Sequence, residues 1–386
     1  MSILFLRWGF LLVLAVVFCS VSACVNQPME LDDESINDTL LLEGRPILGQ
    51  GTFPPFQEHQ LLAVNADMLA FLEEHVKPSK NQFTNLEQLL TAIIRNGGFV
   101  MTYDGATRSA AETFATRSGN CLSFTNLFIA LARELGLNAQ YQEIDVPPLW
   151  NQQGGSLLLS LHINVLLQMP GRPGRQQIVD FNVENFKSKY ERNPISDKRA
   201  KAHYYNNLGV EQMHRGNHVA SLQFFERGLH FDKRFTPLWN NLGTLYLRNK
   251  HHDYAAASYQ KAIQIDRDNY VAMSNLMYIQ RSRGNTEMVE YLLTRITRHR
   301  NRNPYFRYQQ AADAFAKGDY DSSITHLNYA VRKKPEEHRF YYLLGVAYLK
   351  KGNEDKARNY LERADVAAID DRVKQEYKRK FETLSQ

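Results

Sequence analysis

Apolar positions along the chain change their period three times. An apolar run over residues 8–18 follows Arg7, short for a bilayer span but of the length found in the core of a secretory signal. The next stretch, residues 30–38, carries Glu30, Asp32, Asp33, Glu34 and Asp38 with no base and no apolar rhythm, which predicts a solvated tether. Helical spacing appears over 61–76. Pro78 interrupts it, and Thr84-Asn85-Leu86-Glu87 has the form of a capping box opening a second helix, with Leu86, Leu89, Leu90, Ile93 and Ile94 on one side. A third helix is predicted from Cys121. Gly119 and Asn120 serve as its turn and cap, Leu127, Leu131 and Leu135 recur every fourth position, and Gly136 stops it. Strand-like runs follow at 139–144, 156–168 and 176–181, separated by Pro147-Pro148 and by Gly171-Arg172-Pro173-Gly174. Helices followed by antiparallel strands predict an α+β domain.

From residue 199 onward the pattern is helical again and self-similar. Leu208-Gly209, Leu242-Gly243 and Leu344-Gly345 stand at multiples of 34 residues, and 34 is the tetratricopeptide (TPR) period. Starts near 202, 236, 270, 304 and 338 put Tyr205, Trp239 and Tyr341 at one aromatic position. The same frame puts Gly216, Gly284, Gly318 and Gly352 at the inter-helix turn, and Ala262, Ala330 and Ala364 at a small position of the second helix. Five repeats are expected, the third the most divergent. Paired helices of this kind cannot bury a face alone, so they stack into an all-α solenoid with a concave groove. Residues 372–386, dense in Lys and Arg, are expected to form a capping helix.

At 386 residues the chain exceeds one ordinary core, in keeping with two domains. Its charge is divided between them. Residues 1–198 hold 14 Lys and Arg against 20 Asp and Glu, a net of −6, and residues 199–386 hold 32 against 21, a net of +11. A basic array is suited to acidic partners, with Arg295, Arg298, Arg300, Arg302 and Arg307 its densest cluster. No nucleic-acid recognition motif accompanies the charge.

The signal-like run ends in Val21-Ser22-Ala23-Cys24. This resembles the bacterial lipobox, which implies cleavage before Cys24, lipidation of that residue and export. Val25 follows rather than Asp, so the resemblance points to the outer membrane facing the periplasm. Of the three cysteines, Cys19 lies in the signal and Cys24 at the lipid site, so Cys121 would remain as one free thiol and no disulfide framework forms. At the first turn of a helix, unpaired N–H groups and the helix dipole favour a thiolate, the nucleophilic form.

The order Gly119-Asn120-Cys121 at a helix start, then His162 in a strand, then Asp180 at the end of the next strand resembles the transglutaminase-like, papain-related superfamily of cysteine hydrolases. So does the helix end Ala132-Arg133-Glu134-Leu135-Gly136-Leu137. Carried over residue by residue, the resemblance makes Cys121 the nucleophile, His162 the general base and acid, and Asp180 the residue that orients the imidazole. The backbone N–H of Cys121 would serve an oxyanion hole, with Tyr103 a candidate second donor. The chain departs from the family's usual pattern in having Ile163-Asn164-Val165 after the histidine and Leu122-Ser123-Phe124 after the cysteine.

The expected organisation is a lipoprotein signal peptide at 1–23, an acidic tether at 24–42, an α+β transglutaminase-like domain at 43–198, five TPR repeats at 199–371 and a cap at 372–386. The expected function is acyl transfer from an amide or peptide, to water or to an amine, through a thioester on Cys121. The repeats would recruit a protein or peptide through groove residues such as Asn206, Asn207 and Asn240. The membrane would be reached through Cys24. No metal, organic cofactor or nucleic acid is implied. The alternative is a non-catalytic envelope scaffold that keeps the fold without the activity.

Overall fold

The computed structural model describes residues 36–95, 99–144, 162–169, 176–180 and 192–368, together with 374, 375, 377–379 and 382. Residues 38–386 form one compact unit. The expected signal, Cys24 and most of the expected tether lie outside the described residues.

The tether expectation fails at its end. Asp38–Glu43 is a short helix (α1), followed by Arg45–Leu48 (α2). Leu41 is buried, its carbonyl accepts from Tyr246 Oη at 2.5 Å, and Asp38 pairs with Lys261 Nζ at 2.7 Å. The three leucines of Asp38-Thr39-Leu40-Leu41-Leu42 supply an apolar face that repays docking, which acidity further upstream conceals.

Ala66–His75 (α3) is capped by Asn65, whose side chain accepts from Met68 N. Gln82–Leu90 (α4) begins two residues before the expected box. Its cap is Asn81, accepting from Phe83 N, so Thr84 and Glu87 sit inside the helix. The capping box occurs instead at Ser109 and Glu112, opening Ala110–Thr116 (α5). Thr102–Tyr103 (β1) and Ser118–Gly119 (β2) pair in parallel, with Tyr103 opposite Gly119. Cys121–Glu134 (α6) follows at once, its cap Asn120 accepting from Ser123 N. Residues 122–132 are buried without a break, as befits a helix packed on all sides.

Its floor is an antiparallel sheet of Ala139–Ile144 (β3), His162–Gln168 (β4), Gln176–Val179 (β5) and Arg192–Ile195 (β6), in the order β5-β4-β3-β6. The strand β6 was not expected because Arg-Asn-Pro-Ile lacks strand alternation. Pro194 is tolerated there because β6 is an edge.

Among the described residues five helix pairs follow: Asp197–His214 with His218–Phe231 (α7, α8), Thr236–Arg248 with His252–Ile265 (α9, α10), Tyr270–Ser282 with Thr286–Arg302 (α11, α12), Pro304–Ala316 with Tyr320–Lys333 (α13, α14), and His338–Lys350 with Glu354–Ala367 (α15, α16), while most of the expected cap at 372–386 lies outside the described residues. The Leu-Gly anchors work by close approach. A Cβ on Gly209 would lie 2.4 Å from the Phe225 ring, and one on Gly243 2.7 Å from the Tyr259 ring, so glycine lets paired helices meet. Gly216, Gly284, Gly318 and Gly352 turn with φ between 75° and 79° or, at Gly284, 74°. The second repeat places Lys250 at that turn with φ 65°.

No linker separates the sheet from the helix pairs. β6 ends at Ile195 and α7 starts at Asp197. Ala200, Tyr204, Tyr205 and Leu208 of α7 belong to the same apolar core as Leu127, Leu131, Tyr141 and Val165. A boundary at 198 therefore cuts through a core.

Candidate functional site

The turn before α6 is built so that a cysteine can begin the helix. Gly119 approaches so closely that an added Cβ would lie 2.5 Å from Ser123 Cβ. Ser123 Oγ donates to Ala106 O at 3.0 Å and accepts from Arg108 N at 2.8 Å, while Asn120 Nδ2 donates to Thr107 Oγ1 at 2.8 Å. These bonds fix the loop against the helix start. Thr125 Oγ1 donates to Cys121 O at 2.8 Å and lies 3.4 Å from Ile163 O, joining the first turn to the strand that carries His162.

His162 is 4% exposed, and its Nε2 lies 2.8 Å from Asp180 Oδ2. Antiparallel pairing of β4 with β5, with Val165 opposite Val179, brings Asp180 back beside the first residues of β4. Asn164 Nδ2 donates to the same carboxylate oxygen at 3.0 Å. The sequence reading passed over Asn164, and its only signal was an Asn two residues along the same strand face from His162. Asn164 Oδ1 and Gln142 Oε1, opposite one another in the β3–β4 register, are buried and meet no donor among the described residues.

Cys121, His162, Tyr103, Asn120, Leu122 and Ile163 share one cavity of about 150 Å³ with five residues from beyond the sheet, namely His203, Asn206, Asn207, Phe235 and Pro237. The expected catalytic cysteine and histidine thus face a common space. Tyr103 stands at its mouth, 70% exposed. Asn206 and Asn207, expected on the groove of the repeats, are among the residues that line this cavity. Asn240 is buried within the array, its Nδ2 3.3 Å from Asn269 Oδ1.

The thiol is not the thiolate that the helix start alone predicts. Burial raises the Cys121 pKa to about 11, and the Asp180 carboxylate adds to the rise. The thiol's own backbone N–H acts in the opposite direction without overcoming them. Desolvation outweighs the helix dipole here because the sulfur is partly enclosed and its charged neighbour is an anion.

A second polar cluster closes the cavity's far side. Glu143 Oε1 is 2.5 Å from His203 Nε2 and accepts from Arg199 Nε at 2.8 Å, and Arg199 Nη1 reaches Asp232 Oδ2 at 2.8 Å. Burial opposes ionisation of Glu143, but its bonds to His203 and Arg199 more than offset that and hold its pKa down to about 2. Among the described residues no group of His, Cys, Asp and Glu is arranged to hold a metal ion.

A model of the transglutaminase-like superfamily matches residues 70–154, which include Cys121 but end before His162 and Asp180. Tetratricopeptide-repeat models match 237–269 and 308–372. No curated protein matches the chain. Among solved structures, a crystal structure of MamA is 20% identical over 43% of this chain and 91% of its own, with a TM-score of 0.25. YrrB, described as a TPR protein with an unusual peptide-binding site, is 18% identical over 46% and 92%, with a TM-score of 0.24. MamA from Desulfovibrio magneticus RS-1 is 15% identical over 42% and 93%, with a TM-score of 0.25.

Proposed function

We propose that this chain, which carries a transglutaminase-like domain followed by tetratricopeptide repeats, is an exported lipoprotein that catalyses acyl transfer from an amide through a thioester on Cys121, on a protein or peptide partner engaged by its repeats. The observation that carries the reading is the 2.8 Å bond between His162 Nε2 and Asp180 Oδ2 at a cavity that His162 shares with Cys121.

With Nε2 committed to the carboxylate, Nδ1 is the ring nitrogen that serves the sulfur. The raised thiol pKa assigns a neutral thiol to the resting state, so His162 takes the proton as Sγ attacks the carbonyl rather than beforehand. Backbone N–H groups of the first turn of α6 face the developing oxyanion. His162 then returns the proton to the leaving amine, and water or an amine, deprotonated by the same ring, releases the acyl group. Asp180 stabilises the imidazolium formed in each step, and Asn164 holds Asp180.

The same half-buried, high-pKa thiol favours the second reading, an envelope scaffold without activity. Iodoacetamide labelling of Cys121 between pH 6 and 11 separates the two. Catalytic pairing predicts a rate below pH 9 that falls about tenfold or more in His162→Ala, because the mutant loses the base that takes the thiol proton. An identical profile in the two proteins, rising only toward pH 11, leaves the scaffold standing.

Export and anchoring through Cys24, with the outer membrane facing the periplasm as the site, rest on the lipobox-like end of the signal. The expected outcome is detergent-phase partitioning of the wild type and aqueous release of Cys24→Ala. Release of both refutes the anchor. The net +11 of residues 199–386 supports an acidic partner for the repeats.

A further inference from the structure

One wall of the Cys121 cavity comes from the repeats. His203, Asn206 and Asn207 project from α7, the first repeat helix, and Phe235 and Pro237 from the entry to α9. The lining is aromatic and neutral-polar, with no carboxylate or fixed cation among the described residues. At about 150 Å³ the space suits a group of roughly six non-hydrogen atoms, the size of a benzene ring.

His203 is the least explained of these side chains. It is 4% exposed, and its ring centroid lies 4.2 Å from that of Phe235. Nε2 is taken by Glu143 at 2.5 Å, and among the described residues no other protein group bonds to the ring. Burial lowers its pKa despite the carboxylate beside it, which favours the neutral ring. A carboxylate accepts and does not donate, so Nε2 carries the hydrogen and Nδ1 presents a lone pair. An unpartnered acceptor on a ring that lines a cavity gains when a ligand donor reaches it. The same Glu143 oxygen accepts from Arg199 Nε, so the tautomer is fixed by two elements, β3 and α7.

We propose that His203 is a substrate-binding residue of the Cys121 site, its Nδ1 accepting a hydrogen bond from the N–H of the amide whose carbonyl meets the sulfur. The first repeat thereby completes the pocket and selects carboxamides over esters of equal size, with Glu143 the positioning residue that sets the tautomer. This rests on the reading of Cys121 as the acyl-transfer centre.

Two neutral reagents of similar size test it on the full chain: iodoacetamide, which has N–H donors, and methyl iodoacetate, which has none. With each, Sγ forms a bond to carbon, iodide leaves with the bonding electrons and the thiol proton passes to buffer. Rates are measured at pH 9.5 by peptide mass spectrometry at Cys121 and divided by those of free cysteine. The expected result is an amide-to-ester preference at least fivefold above that of free cysteine, lost in His203→Phe. Glu143→Gln should keep it, because the amide oxygen still accepts from both Nε2 and Arg199 Nε. A wild-type preference equal to that of free cysteine overturns the proposal, as does one that survives His203→Phe, and the wild-type comparison decides even where a variant fails to fold. The ratio is independent of what ionises the thiol. A flat response to His162→Ala at neutral pH would therefore defeat catalysis while leaving the subsite readable.

Discussion

Asp180 accepts from two side chains at one oxygen, His162 Nε2 at 2.8 Å and Asn164 Nδ2 at 3.0 Å, and in the proposed acyl transfer it orients the histidine. An asparagine there would keep the size but lose the charge that stabilises an imidazolium and the constraint on the ring's tautomer. Asp180→Asn is expected to lower turnover on a peptide-amide substrate by about a hundredfold or more, with a thermal midpoint within a few degrees of the wild type. Near-wild-type turnover would show that Asp180 is only a structural partner of the histidine. Cys121 illustrates the opposite balance. Its position at the helix start was legible in Gly119-Asn120-Cys121, yet its acidity was not, because the burial and the Asp180 charge that raise its pKa to about 11 come from distant chain segments.

Elements were legible where pattern and capping agreed. The helix from Cys121 and the helix starts at Thr236, Tyr270, Pro304 and His338 lie at the positions read from periodicity. Where they diverged, a local hydrogen bond decided: Asn81 rather than Thr84 caps α4 because its side chain reaches Phe83 N at 3.0 Å. The turns of the repeats give a direct test. Lys250 adopts φ 65° where four other repeats have glycine, and a side chain in that left-handed region costs about 1–2 kcal/mol. Part of this returns as glycine's larger loss of entropy on folding. Lys250→Gly is therefore expected to stabilise the protein by about 0.5–1 kcal/mol in urea unfolding. A loss of stability would show that Lys250 makes a compensating contact.

At the scale of the whole molecule, the catalytic-domain expectation and the repeat expectation meet in one core. Tyr204 and Tyr205 of α7 are buried against His59, with Tyr204 Oη 2.8 Å from His59 Nδ1 and Tyr205 Oη accepting from His59 N at 3.2 Å. Arg133 grips Asp197 with two bonds of 2.7 and 2.9 Å, and Glu211 accepts from Thr107 N at 2.9 Å. A chain ending at 198 would expose the apolar surface that these helices cover and leave Glu143 without either partner. Such a truncation is expected to be aggregated or protease-sensitive, whereas one ending near 266, after two helix pairs, should be folded. A soluble, cooperatively melting 1–198 fragment would contradict the shared core.

The sequence by itself determined the α+β character of the first part, the 34-residue repeat of the second and the order of Cys121, His162 and Asp180, because each follows from periodicity, turn chemistry or a local motif. Tertiary structure decided what no window of sequence contains. Strand register returned Asp180 to His162 and added Asn164, and the absence of a linker at Ile195–Asp197 pressed α7 against the sheet. That packing set Asn206, Asn207 and His203 in a wall of the Cys121 cavity and left the thiol partly enclosed. Desolvation and long-range pairing depend on which surfaces meet, and those surfaces lie 60 residues apart in the Glu143–His203 bond and 146 apart in the His59–Tyr205 bond.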